Sequence, residues 1–269
     1  MVKKLIKYEM QSYVRTLLPM VLILLGIGLL TRFVQFFEAD TFAYSIIEVS
    51  SIVALVISVI VCLVMTVVVS VSRFYKNLFT GEGYLSFTLP VTPTQHILTK
   101  LLVAVIFVFI SVLAVILSLT IASAGELLVE IVKAISFLAD QYFDTLGIHG
   151  VFYLFEMLII LILVLSTSFL LFYGCIAVGQ MAKKNRILAA FGVYFGYYFA
   201  CQILGTIFVI LISSYYYLIP FDTIAEFANN HPYASAHILL CAIMLYYLIP
   251  AVLYFFVTRL VINKRLNLE

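Results

Sequence analysis

Six stretches of 20 residues or more, near 17–36, 49–72, 100–123, 157–181, 187–213 and 237–258, hold at most one Lys, Arg, Asp or Glu each. A helix needs about 20 apolar residues to cross roughly 30 Å of hydrocarbon, so each stretch has the length and polarity of a membrane span. Lipid offers a backbone no hydrogen-bond partner, which leaves helices or a closed barrel, and the alternating ten-residue segments of a barrel are missing. The sequence therefore predicts an all-α integral membrane protein with six transmembrane helices, occupying residues 1–269 as a single domain. Composition agrees: 65% of residues are hydrophobic and 10% charged, against about 45–50% and about 25% in a soluble domain. A net charge of +2 gives no polyanion-binding signature, and nucleic acid is set aside as a partner.

Lysine and arginine set the orientation. Thirteen of the fifteen, among them Lys3, Lys4, Lys7, Arg15, Arg73, Lys76, Lys100, Lys184, Arg186, Arg259 and Lys264, fall on one side of the six spans, with only Arg32 and Lys133 on the other. Both termini and the loops at 73–99 and 182–187 are thus expected in the cytoplasm of a multi-pass cell-membrane protein. The basic head before the first span is followed by no small-residue cleavage site, so that span is expected to be a retained anchor.

Between the spans two amphipathic segments stand out. Val2, Ile6, Met10, Tyr13 and Leu17 form a helical stripe with Lys3, Lys7, Gln11 and Arg15 opposite, which predicts an interfacial helix over 1–16 and a turn into the bilayer near Pro19. Residues 126–150 form an extracellular amphipathic segment in which Leu128, Ile131, Ile135 and Leu138 share a stripe, predicting a helix over 126–141 on the outer leaflet or the mouth of the protein. A weaker pattern of the same kind covers 221–236.

In the fifth span Gly192, Gly196 and Ala200 recur every fourth residue, with Tyr194, Tyr197, Tyr198 and Gln202 on the same turns. Small residues at that spacing let another helix approach closely. Gly192, Gly196, Tyr194, Tyr198 and Gln202 are accordingly candidates for helix packing or for lining a pathway. No lysine, aspartate or glutamate falls near a bilayer midplane, which argues against a proton-coupled carrier. Cys62, Cys175, Cys201 and Cys241 lack ligand spacing and are read as buried hydrophobes.

The segment "SRFYKNLFTGEGYLSFTLPVTPTQHILTK", residues 72–100, breaks the apolar rhythm. Arg73 to Asn77 extend the second helix past the membrane, and Thr92, Pro93 and Gln95 spell the capping box of the third. Between them Gly81 and Gly83 give backbone freedom, while Tyr84, Leu85, Phe87 and Leu89 are too apolar for a solvated turn and mark a partner surface. No Gly-Lys pair occurs, hence no phosphate-binding loop of the GxxxxGK[ST] type.

Residues 75–100, "YKNLFTGEGYLSFTLPVTPTQHILTK", resemble the first cytoplasmic loop of permease subunits of bacterial ATP-binding-cassette exporters of the ABC-2 superfamily, especially the Gram-positive type, and the C-terminal "TRLVINKRLNLE" is similar to their ends. The resemblance implies a transport subunit that is not itself an enzyme. It would have no catalytic, metal or cofactor residues of its own and would be driven by ATP and magnesium in a soluble ATPase partner. It implies a second permease copy or paralogue, and a coupling surface at Gly81, Glu82, Gly83, Tyr84, Leu85, Phe87, Thr88 and Leu89. Substrates of such a subunit would be peptides, lipids or drug-like molecules. Two other classes stand beside it: a membrane binding, immunity or sensor protein without transport, and an intramembrane enzyme. The last lacks HExxH and GxSxG motifs. His231 and His237, on the same outer face as Asp222 and Glu226, read as solvated loop histidines.

Overall fold

The computed structural model describes residues 2–37, 41–80, 83, 91–182, 184–215 and 220–264. These are helical almost throughout, with no strand among them. In chain order the helices are α1 (Val2–Phe36), α2 (Phe42–Phe79), α3 (Pro93–Ala122), α4 (Glu126–Leu146), α5 (Ile148–Gly179), α6 (Arg186–Ser214), α7 (Phe221–Asn230) and α8 (Pro232–Lys264). Six of them, α1, α2, α3, α5, α6 and α8, are long and apolar enough to cross a membrane. Each coincides over most of its length with one of the six charge-poor stretches of the sequence. The chain gathers into two compact units, Met1–Lys76 with Phe87–Leu146, and Asn77–Ser86 with Gly147–Glu269.

The first unit packs α1, α2 and α3 together. Tyr13, Leu17, Val69, Val103 and Phe107 form one buried cluster, with Ile6, Met10 and Met20 against it, and Leu24, Cys62 and Ala114 form another farther along. The apolar stripe at the head of α1 is therefore seated on α2 and α3, where the sequence pattern alone suggested the leaflet. Nor does the chain turn at Pro19. Helix α1 runs through it unbroken, because one proline removes a single rung and the packed face on either side, Tyr13 and Leu17 before it and Leu24 after, holds the rod in line.

Close approach has two further causes. At Gly28 an added Cβ would lie 2.7 Å from Ser118 Oγ and 2.8 Å from Ser118 O, so α1 and α3 touch backbone to backbone there. Hydroxyl groups then bridge the helices. Ser118 Oγ donates to Leu24 O at 3.0 Å and Thr31 Oγ1 to Ser51 O at 3.3 Å. Thr66 Oγ1 and Ser111 Oγ lie 2.7 Å apart. Thr66 Oγ1 also lies 2.8 Å from Cys62 O, an acceptor within its own helix.

Helix α4 follows a turn in which Ala124 (φ 54°) and Gly125 (φ 87°) take left-handed backbone, and none of its residues is buried. Its start at Glu126 agrees with the sequence, although it runs on to Leu146.

The second unit is built on α5. Helix α8 lies along it, with Thr167 Oγ1 donating to Tyr247 O at 3.0 Å and Gly174 opening space beside Thr258 and Tyr254. Helix α6 turns back against α5 at Gly179, where a Cβ would meet Ala190 atoms at 2.6–2.7 Å. Left-handed Asn185 (φ 52°) makes that reversal. Of the four cysteines read as buried, Cys62 and Cys175 are, whereas Cys201 and Cys241 lie on the protein surface, and all four are free. The surface of a spanning helix is apolar too, so a small hydrophobe fits either place.

Gly28→Leu is expected to destabilise the protein by about 1–3 kcal/mol through overpacking, while Gly26→Leu, with nothing within 4 Å of its Cβ, is tolerated. Thermal unfolding of both variants in detergent measures the contrast.

Candidate functional site

The segment that the sequence singles out is bounded by two legible helix ends. Helix α2 carries the chain out to Phe79. Helix α3 begins at Pro93, capped by Thr92: Gln95 N–H donates to Thr92 Oγ1 at 3.4 Å and Thr92 N–H to Gln95 Oε1 at 3.0 Å. Both expectations hold. Of the coupling residues, Gly81, Glu82, Tyr84, Leu85, Phe87, Thr88 and Leu89 lie outside the described residues. Gly83 is described: it is buried and its N–H donates to Thr80 O at 2.7 Å.

What holds the two flanking helices in the first unit is a charge cluster at their shared end. Glu9, on the buried face of α1, accepts at Oε1 from Lys100 Nζ of α3 at 3.0 Å and from Arg73 Nε of α2 at 3.4 Å. The Arg73 guanidinium also lies 5.1 Å from the centre of the Tyr13 ring, which packs on Phe107 with ring centres 4.9 Å apart. Side-chain exposure is 8% for Glu9, 5% for Lys100 and 18% for Arg73, so this cluster is largely removed from solvent. One carboxylate thus ties three helices. The sequence reading used Lys100 and Arg73 only to orient the chain and passed over Glu9. The available signal was the spacing of four that puts Glu9 on one face with Tyr13 and Leu17.

The strip on α6 is open. Neither Gly192 nor Gly196 has anything within 4 Å of an added Cβ, and no residue of α6 is buried. Tyr194 stacks on Phe172 of α5, ring centres 5.7 Å apart, and the Tyr197 hydroxyl pairs with that of Tyr254. Tyr198 and Gln202 are exposed. Gln202 lines a shallow depression with Cys201, Gly205 and Thr206. The candidates at Gly192, Gly196, Tyr198 and Gln202 therefore share an uncovered helix, while Tyr194 serves the α5–α6 contact.

Of the two histidines read as solvated loop residues, His231 is exposed as expected and His237 is not. His96 is buried in the first turn of α3. His237 Nδ1 lies 2.8 Å from Glu156 Oε1, and His237 Nε2 lies 3.3 Å from His149 Nδ1. His149 and His237 are thus joined through α5 and α8 rather than solvated, and the partner of His237 is Glu156, not Asp222 or Glu226. A separation of 80 residues or more between partners hid this from the sequence. Among the described residues no group of three or more His, Cys, Asp or Glu gathers as metal ligands.

Glu9→Gln leaves the Lys100 charge without its carboxylate and is expected to cost about 3–5 kcal/mol. Arg73→Gln should cost less, because Lys100 keeps Glu9. Chemical denaturation of the two variants in the same detergent ranks them. Comparison with known proteins finds no matching family model, no matching curated protein and no matching solved structure.

Proposed function

We propose that this chain is the permease subunit of an ATP-dependent exporter of the ABC-2 type, coupled to a separate soluble ATPase through the cytoplasmic loop at 73–99. The reading rests on the residues of that loop and of the C-terminal end. The observation that carries it is the Glu9 cluster. A soluble motor moves membrane helices only through a stiff contact. Here the helices on both sides of the segment 81–90 are rooted to α1 by one buried carboxylate, so that a push on the segment reaches α1, α2 and α3 as a body. The chain binds no cofactor directly in this scheme, and ATP and magnesium belong to the partner.

Orientation follows from the basic residues, which put both termini and the coupling loop in the cytoplasm of the cell membrane. The uncovered small-residue face at Gly192 and Gly196 suits a second permease copy or paralogue, with Tyr198 and Gln202 toward the pathway between them. The exported substrate is a peptide, lipid or drug-like molecule.

A tagged chain purified from its native membrane is expected to carry a soluble ATPase, and Tyr84→Asp or Leu85→Asp to lower its recovery about tenfold or more, the effect of some 1.4 kcal/mol. ATPase recovery and vesicle efflux that both variants leave at the parent level would remove the loop from the mechanism.

A further inference from the structure

The N-terminal ends of α5 and α8 are joined by a chain of three titratable side chains, Glu156, His237 and His149. Aromatic rings surround it. His149 stacks face to face on Tyr233 (ring centres 4.6 Å apart, planes at 7°), and the Tyr153 ring lies 4.4 Å from that of His237. The Tyr153 hydroxyl donates to Tyr233 O at 3.1 Å. Both histidines are only partly exposed, so their hydrogen bonds are not freely replaced by water.

Proton counting shows what this chain tolerates. With both imidazoles neutral, His237 Nδ1–H donates to the Glu156 carboxylate, its Nε2 lone pair is free, and His149 Nδ1–H donates to it. With one proton added, His237 is an imidazolium ion-paired to Glu156; its Nε2–H now donates to His149 Nδ1, and the His149 proton sits on Nε2. The contact survives with its direction reversed. A second proton puts N–H on both facing nitrogens, 3.3 Å apart, and two positive rings against one carboxylate. No acceptor remains between the rings, and like charges repel across a partly dry gap.

We infer that the Glu156–His237–His149 chain is a proton-operated latch that closes the α5–α8 end of the second unit and opens when the pair takes up its second proton. Only a pair carrying at most one added proton keeps a donor and an acceptor across the 3.3 Å gap, so the closed form belongs to those protonation states. Histidine is the side chain suited to such a change between pH 5 and 8, and the two protons belong to the pair rather than to either ring. The surrounding charges do not quench it. Helix α7, packed on α8, brings Asp222 and Glu226 and no cation. His231 follows at the α7–α8 junction with its ring 5.3 Å from that of Phe227. Helix α6 carries only Arg186, at its far end.

The latch is also marginal. Glu156 Oε2 is buried without a hydrogen-bond partner among the described residues, a cost that the closed arrangement bears and an opened one relieves with water. Deeper along the same helices the Thr167–Tyr247 bond has no titratable member, so opening is confined to the end. The inference is independent of the transport reading, which adds only that this end faces the exterior.

Hydrogen exchange in lipid nanodiscs at pH 7.5 and 5.5, corrected for the intrinsic rate of each pH, tests it. Amides of 152–156 and 235–240 are expected to lose protection by about tenfold or more at pH 5.5, the loss of one charge-assisted hydrogen bond. Those of 163–174 should stay unchanged and report any global unfolding. His149→Gln keeps a neutral partner for His237 but takes no proton, and should show the same protection at both pH values. Equal protection of the wild-type ends at the two pH values overturns the latch, as does a pH transition of the original size in His149→Gln.

Discussion

Lipid gives a backbone no hydrogen-bond partner and a charged side chain no solvation, and both halves of that constraint are visible in this chain. The backbone answers it with long helices. The side chains answer it by bringing partners from neighbouring helices. Serine and threonine hydroxyls bond to carbonyls across α1, α2 and α3, while ionised groups cluster near the helix ends, where Glu9 meets Lys100 and Arg73. A buried ion pair is weak support for stability as such, because desolvation cancels most of its attraction. Its use is geometric. Any arrangement of α1, α2 and α3 that separates these groups leaves a charge without compensation, so their relative register is defined.

The two units solve packing differently. In the first, three helices share buried clusters, and the backbones of α1 and α3 approach at Gly28. In the second, α5 supports α6 and α8, yet α6 buries no residue at all. A helix that packs on one neighbour yet buries no residue, with glycines bare beside it, is structurally suited to meeting another protein surface.

Much of this was legible in the sequence where the signal is local. Charge-poor length found the six helices long and apolar enough to cross a membrane, and Thr92, Pro93 and Gln95 placed the start of α3 to the residue. The Gly192–Gly196 strip, which its spacing offers for helix packing, meets no other helix among the described residues. Local signals failed where a partner lay far along the chain. Pro19 reads as a corner, but its helix continues because packing on α2 and α3 outweighs one missing hydrogen bond. The stripe from Ile6 to Leu17 has the periodicity of a leaflet-bound helix, and periodicity alone does not say whether lipid or protein covers it. Glu9 drew no reading and His237 was read as a solvated loop residue, because their partners lie 64 to 91 residues away.

The bridging hydroxyls carry one more implication. Thr31 Oγ1 faces Ile27 O at 2.9 Å as well as Ser51 O, and Thr167 Oγ1 faces Leu163 O at 2.7 Å as well as Tyr247 O. Each threonine proton therefore has an acceptor within its own helix ready to take it over. When two such rods slide or part, the donor falls back on its own turn instead of being stranded in hydrocarbon. Adhesion of this sort is reversible at little cost, which makes the helix pairs joined by it suited to repeated regrouping within a bilayer.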